Sequence, residues 1–156
     1  MAERTHQLEI VNRLPELDRA TQWLQEHLEA AGASPQALYV ASLALEELFT
    51  NIVKYGYEDP ETPHTVLVEL RITPERFCLR LSDDGRPFNP FGQAGPDTSL
   101  PLAEREAGGL GIHLVQRMLE NCVHRHESGR NIVSVERSLH CTEITTGEPG
   151  GQDGPA

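Results

Sequence analysis

The stretch ALEELFTNIVKYGYED, residues 44–59, predicts a long helix that carries polar side chains beside an apolar face. Apolar residues recur four positions apart along it, and such residues lie above one another on a helix. Glu46 shares its row with polar residues and belongs to a solvated face. Glu47 shares its row with Asn51 at the border of the apolar arc. The pair therefore marks either an ordinary polar helix edge or the wall of a site.

Apolar periodicity around this helix predicts the remaining elements. Ser34 and Pro35 are typical of the start of the helix, which should run to about Tyr55. The predicted order is a strand at 8–13, helices at 15–32 and 35–55, a hairpin of strands at 64–72 and 76–83, a helix at 110–121, and a hairpin at 122–138. This order favours an α+β fold, a two-layer sandwich with a mostly antiparallel sheet and helices on one face.

Composition predicts one folded domain at residues 1–140 and a disordered tail, low in apolar residues, at 141–156. The formal net charge of −11 argues against nucleic acid and anionic membranes as partners. Three cysteines without a CxxC pair, and an N-terminus without an apolar signal segment, favour a cytoplasmic protein.

The segment LRLSDDGRPFNP, residues 79–90, places a carboxylate where a core residue is expected. Alternation along the preceding strand continues its apolar face to Asp83 and turns Asp84 to the opposite side. An inward carboxylate is costly unless a donor reaches it. Gly85 permits a close approach that a side chain would block. An ordinary Asp-Gly turn is the alternative.

The segment EAGGLGIHLVQRM, residues 106–118, crowds Gly108, Gly109 and Gly111 at the start of a helix. Free amides at a helix start, without side chains in the way, can bind an anion, although glycines also mark plain loop ends. A long loop precedes this helix, which argues against a Rossmann fingerprint, and no GxxxxGK[ST] motif occurs.

The segments EELFTN, DDGRPF and GGLGI, in this order, resemble the ATP-binding core of gyrase B, heat-shock chaperone ATPases and histidine kinases, the GHKL or Bergerat family. Within that superfamily the short chain is similar to the stand-alone anti-sigma-factor serine/threonine kinases of bacteria. The resemblance covers roughly residues 8–138. Pro87 departs from a glycine that is frequent in the family, which stiffens the loop without removing a contact.

The resemblance implies ATP and Mg2+ as cofactors and assigns roles to four residues. Asn51 matches the asparagine that ligates Mg2+, and Glu47 matches the carboxylate proposed as general base. Asp83 matches the aspartate that accepts a hydrogen bond from the adenine amino group, and Gly85 lets the base lie flat. Asn51 is thus both a cofactor-binding and a metal-ligating candidate.

The third segment matches the place where a lid over the nucleotide joins its helix. Gly109, Leu110 and Gly111 would bring backbone amides near the phosphates, and the loop 86–107 would be the lid. Arg105 in that loop is a candidate phosphate contact.

The resemblance therefore implies an ATP-dependent serine/threonine protein kinase that acts as an anti-sigma, partner-switching regulator and phosphorylates a STAS-domain antagonist. A sigma factor could also be bound, and family members are often dimers, which leaves a homodimer open. The alternative is a non-catalytic ATP-binding module that sequesters its partner. Retention of Glu47 favours the kinase, because a pure binder would not need the base.

Overall fold

The computed structural model describes residues 2–92 and 107–146, the side chains of residues 107–110 excepted. The described elements are β1 (Arg4–Val11), α1 (Glu16–Ala30), α2 (Pro35–Tyr55), β2 (Thr65–Ile72), β3 (Arg76–Asp83), a short 3-10 helix (Pro90–Gly92), α3 (Ala107–Met118), β4 (Glu120–Glu127) and β5 (Arg130–Ser138). Arg105 and most of the loop 86–107 lie outside the described residues.

The five strands form one antiparallel sheet in the order β1-β2-β3-β5-β4. The two predicted hairpins are β2–β3 and β4–β5, and the second joins the first through β5 rather than β4. The register of that junction pairs Asp83 at the end of β3 with Asn131 near the start of β5. The predicted α+β fold with a mostly antiparallel sheet is confirmed.

The helices and one face of the sheet enclose a single core. Its largest fully buried side chains come from every layer: Ile10, Leu24, Leu28, Leu45, Leu48, Phe49, Leu70, Ile72, Phe77, Leu79, Leu81 and Leu139. The other face of the sheet carries ion pairs such as Arg80–Glu69 and is partly open to solvent, as is common for antiparallel sheets. Among the described helices, none is both long and apolar enough to cross a membrane.

Several element boundaries differ from the predicted ones. The first strand begins at Arg4, four residues before the predicted start, because it pairs along the whole length of β2 from Arg4 opposite Ile72. Helix α3 runs from Ala107 to Met118 rather than from 110 to 121, so it begins earlier despite the low helix propensity of glycine. Strand β4 begins at Glu120 rather than at 122, because Glu120 pairs with Glu136 of β5.

The first residues of the predicted tail, 141–146, are held against the domain. Arg137, a buried side chain of β5, donates to the main-chain carbonyls of Glu143 and Ile144 at 2.7 Å each and to that of Met118 at the end of α3. The folded part therefore extends six residues past the predicted boundary, and the rest of the tail lies outside the described residues.

Ser34 connects the start of α2 to the segment after β5. Its hydroxyl oxygen accepts from the amide of Ala37 at 3.1 Å, and the hydroxyl donates to the carbonyl of Cys141 at 2.6 Å. The side chain is thus the N-cap that the sequence predicts, and it also links α2 to the segment after β5.

Replacing Ser34 by alanine is expected to lower the free energy of unfolding by about 1 to 2 kcal/mol, because a cap and a partly buried hydrogen bond are lost. Urea denaturation measures the change. The matched control is Ser42→Ala in the middle of α2, which loses only an exposed hydrogen bond with Gln25 and should stay within about 0.5 kcal/mol of the wild type. Equal effects of the two substitutions would contradict the role of the cap.

Candidate functional site

A cleft opens between the C-terminal half of α2 and the adjacent ends of β3 and β5. It contains about 360 Å³ of space, part of it open to solvent. Its lining is mostly apolar with a few polar side chains: Leu48, Asn51, Ile52, Gly56, Asp83, Arg86, Phe88, Pro90, Asn131 and Val133. This composition is usual for small-molecule sites, in which few polar groups fix the orientation of a ligand.

Asp83 is buried at the inward position that strand alternation predicts, with 3% of its surface exposed, and Asp84 is exposed as predicted. Its Oδ1 accepts from the amide of Gly85 at 2.8 Å and from Nδ2 of Asn131 at 3.2 Å. Its Oδ2 accepts no hydrogen bond from any described residue. Burial raises the pKa of Asp83, although the two hydrogen bonds oppose the rise. One carboxylate oxygen is therefore left for a donor from outside.

Asn51 is the second buried polar side chain of the cleft, with 7% of its surface exposed. Within residues 2–92 and 107–146, no hydrogen bond reaches its carboxamide. A buried polar group without a partner costs about 1 to 3 kcal/mol, so such groups are rare unless a ligand or ion completes them. The residue types and their environment fit the nucleotide and metal that the resemblance implies: an amide oxygen is a hard ligand, as Mg2+ requires.

Glu47 lies one turn before Asn51, partly buried, and its carboxylate packs against Gly111 of α3. A Cβ at Gly111 would overlap Oε2 and Cδ of Glu47 and would lie 2.8 Å from Oε1. Burial raises the pKa of Glu47, and the charge of Glu46 adds to the rise. The structure thus brings together two predicted site residues that are far apart in the sequence.

The glycines of the third motif occupy different places in α3. Gly109 and Leu110 are the third and fourth residues of the helix and Gly111 is the fifth. The unpaired amides of a helix belong to its first turn, which includes Gly109 but not Gly111. The expectation of a free amide is therefore compatible with Gly109, whereas the amide of Gly111 falls within the hydrogen-bonding pattern of the helix.

Gly85 allows the end of β3 to touch the end of α2. A Cβ at this position would lie 2.5 Å from the carbonyl oxygen of Gly56 and 2.9 Å from Oδ1 of Asp83. Arg86, the next residue, donates from its amide to the carbonyl of Gly56 at 2.9 Å and from Nε to that of Tyr55 at 2.7 Å. The group that closely approaches Gly85 is thus the main chain of Gly56.

Asn131 is a site residue that the motifs do not contain. Its Nδ2 donates to Asp83 and to the carbonyls of Arg86 at 2.8 Å and Gly85 at 3.3 Å, and its Oδ1 accepts from the amide of Phe88 at 3.1 Å. With 3% of its surface exposed, it connects β5 to the whole DDGRPF segment. Its side chain fixes the loop that borders the cleft.

A signal for Asn131 exists in the sequence. Val133 and Val135 are inward residues of β5, so alternation also points Asn131 inward, as it does Asp83 on β3. A polar residue at the inward end of an apolar strand is therefore the pattern that both site residues share. Only the pairing of β3 with β5 shows that the two belong to one network.

Asp84 holds the segment that follows α2. Its Oδ1 accepts from the hydroxyl of Tyr57 at 2.8 Å and lies 3.3 Å from Nδ1 of His64, whose ring stacks on that of Tyr57. Burial alone would raise the pKa of Asp84, but the contacts with Tyr57 and His64 outweigh that effect and lower it. The two neighbouring aspartates therefore have pKa values shifted in opposite directions.

Comparison with known proteins assigns the chain to a family. Residues 10–137 match the histidine kinase-like ATPase domain. The chain belongs to this family, whose nucleotide-binding chemistry agrees with a cleft that ends in two incompletely paired polar groups.

The chain is also similar to proteins named as protein kinases. It is 23% identical over 131 residues to the serine/threonine-protein kinase BtrW of Bordetella bronchiseptica, which covers 84% of this chain and 92% of that protein. It is 27% identical over 107 residues to the serine-protein kinase RsbW of Listeria monocytogenes, covering 66% and 68% of the two chains. The corresponding RsbW of Staphylococcus aureus is 26% identical over 106 residues, covering 65% and 67%.

The raised pKa of Asp83 predicts a pH-dependent effect of Asp83→Asn on the nucleotide-free protein. In the unfolded chain Asp83 ionises near its ordinary pKa of 3.8, whereas in the native protein it ionises at higher pH. The stability of the native wild type therefore falls as pH rises above about 4. Asparagine does not titrate, and its carboxamide oxygen can accept the two hydrogen bonds that Oδ1 of Asp83 accepts. The free energy of unfolding of Asp83→Asn should therefore rise relative to that of the wild type as pH increases above about 4.

Urea unfolding at a series of pH values measures this trend. Asp84→Asn is the control with the opposite sign, because its lowered pKa contributes stability that is present above the ordinary pKa and lost on acidification. A stability difference for Asp83→Asn that does not change with pH would contradict the assignment.

Proposed function

We propose that the chain is an ATP-dependent serine/threonine protein kinase that phosphorylates a STAS-domain antagonist in an anti-sigma, partner-switching pathway. The observation that carries the proposal is the pair of buried polar groups in one cleft, Oδ2 of Asp83 and the carboxamide of Asn51, which have no partner among the described residues. Membership of the ATPase family and similarity to proteins named as serine kinases support it.

Asp83 would recognise the adenine base. An ionised Oδ2 accepts a hydrogen bond from the exocyclic amino group of adenine, and that bond would compensate the cost of burying the charge. Guanine presents a carbonyl oxygen at the equivalent position, which would oppose the carboxylate. The apolar residues that line the cleft would contact the faces of the base. Selectivity for ATP over GTP follows from this arrangement.

Asn51 would hold the metal. When bound, Mg2+ neutralises phosphate charge and orients the phosphoryl group. An amide oxygen provides a ligand without adding a negative charge to a site that must accept a polyphosphate. The buried position of Asn51 keeps its oxygen from the competing hydrogen bonds of bulk water.

Glu47 would act as the general base for the hydroxyl of the protein substrate. A carboxylate whose pKa is raised by partial burial is a better proton acceptor than an exposed one. It is on the same helix as Asn51, one turn away, so the base and the metal ligand share one rigid support. The protein itself need form no covalent intermediate.

The alternative function is nucleotide-dependent sequestration of a partner without phosphorylation. A sigma factor as a second partner and a homodimer belong to the same proposal and follow from the resemblance to anti-sigma kinases. The kinase is favoured because Glu47 is held in a defined place against α3, an arrangement that a binder does not need.

Incubating the purified chain with radiolabelled ATP, Mg2+ and purified STAS-domain proteins of the source organism tests the kinase. One STAS protein should be labelled on serine or threonine, and Glu47→Ala should lower the rate about 10²- to 10⁴-fold, because the base is removed. ATP affinity, measured by calorimetry, should be retained. Glu46→Ala is the matched control, since that carboxylate is exposed and adjacent. If ATP binds but no STAS protein is labelled, the sequestering function replaces the kinase.

The role of Asn51 is tested separately through the metal. ATP affinity of the wild type should rise when Mg2+ is added to chelator-treated protein, and Asn51→Ala should lose most of that rise while binding metal-free ATP normally. Thr50→Ala, the preceding residue outside the cleft, should behave as the wild type. An Asn51→Ala variant with an undiminished Mg2+ effect would refute the metal role.

A further inference from the structure

Gly111 stands at a position of α3 where neither its backbone conformation nor its amide requires glycine. It is the fifth residue of the helix, and its φ is not among the positive values found at Gly32 and Gly129. Its amide falls beyond the first turn, where the unpaired amides of a helix are found. Glycine inside a helix lowers its stability relative to alanine. A constraint on the space of the missing side chain must therefore favour glycine here.

The Glu47 carboxylate supplies that constraint. It occupies the volume that a Cβ at position 111 would need: Oε2 and Cδ of Glu47 would overlap the added atom, and Oε1 would lie 2.8 Å from it. Apart from the adjacent residues and the backbone of α3 itself, these are the three nearest atoms to that position, and all belong to one side chain on α2. The contact thus connects the first and third sequence motifs directly.

We propose that Gly111 is a positioning residue for Glu47: the space left by its missing side chain receives the carboxylate and fixes its direction. The catalytic consequence rests on the proposed kinase function, whereas the positional one does not. The overlapping atoms are the free end of a flexible side chain, so a methyl group at position 111 would displace the carboxylate rather than unfold the protein.

The contact between Gly111 and Glu47 is separate from the cleft. Neither Gly111 nor Glu47 is among the residues that line the cleft around Asp83 and Asn51. Gly111→Ala should therefore keep the cleft around Asp83 and Asn51 intact and lower phosphoryl transfer through the displaced carboxylate of Glu47. A glycine that acted only on the nucleotide would lower the rate by the same factor with and without the carboxylate of Glu47.

A double-mutant cycle of Gly111→Ala and Glu47→Ala tests this role. In the otherwise wild-type chain and at saturating ATP, Gly111→Ala should lower the transfer of phosphate from radiolabelled ATP about 10²-fold or more. In the Glu47→Ala background it should change the residual rate by less than about twofold, because the group that it displaces is absent. Gln116→Ala, exposed on the same helix, is the control.

Two results would overturn the proposal: an unchanged transfer rate at saturating ATP, or an equal loss of rate in the Glu47→Ala background. A crystal structure of Gly111→Ala provides a measurement that does not depend on activity. The carboxylate of Glu47 should turn away while α3 stays in place, and an unmoved carboxylate with a shifted helix would contradict the proposal. If the wild type transfers no phosphate, the kinase function fails, and the crystal structure still decides the positional role.

Discussion

The contact on which the site depends is the close approach of Gly85, after β3, to the carbonyl of Gly56, after α2. The last carbonyls of a helix have no partner within it, and Arg86 satisfies two of them with its amide and its Nε. The guanidinium also brings positive charge to the negative end of the helix dipole. Because Asp83 precedes this contact and Asn51 lies one turn before the end of α2, the contact sets the spacing between Asp83 and Asn51, the proposed base-binding and metal-binding groups.

The cleft is built from groups that are unfavourable in the free protein. Asp83 is a buried carboxylate with a raised pKa, and Asn51 is a buried amide without a partner among the described residues. Proteins retain such groups where a ligand completes them, at some loss of stability. Asn131 limits the loss, since it pairs with one oxygen of Asp83 and secures the loop after it while the second oxygen stays available.

Helix α2 contributes to the core, to the cleft and to the contact with α3. Its apolar face packs in the core, its border carries Asn51 toward the cleft, and Glu47 points toward α3. The long helix is a rigid support, fixed at its start by Ser34 and at its end by Arg86. In this member of the histidine kinase-like ATPase family, one helix therefore carries both Asn51 of the cleft and Glu47, the candidate base.

Local sequence patterns determined the fold class, the order of the elements and the direction of single side chains. Alternation along β3 turned Asp83 inward, and helical periodicity placed Asn51 at the edge of the core. The pairing of β3 with β5, the network of Asn131 and the seat of Glu47 on Gly111 were decided only by the tertiary structure. Periodicity encodes which face of an element is buried, because that depends on neighbouring residues. It does not encode which distant element packs on that face, because that depends on the joint packing of the whole chain.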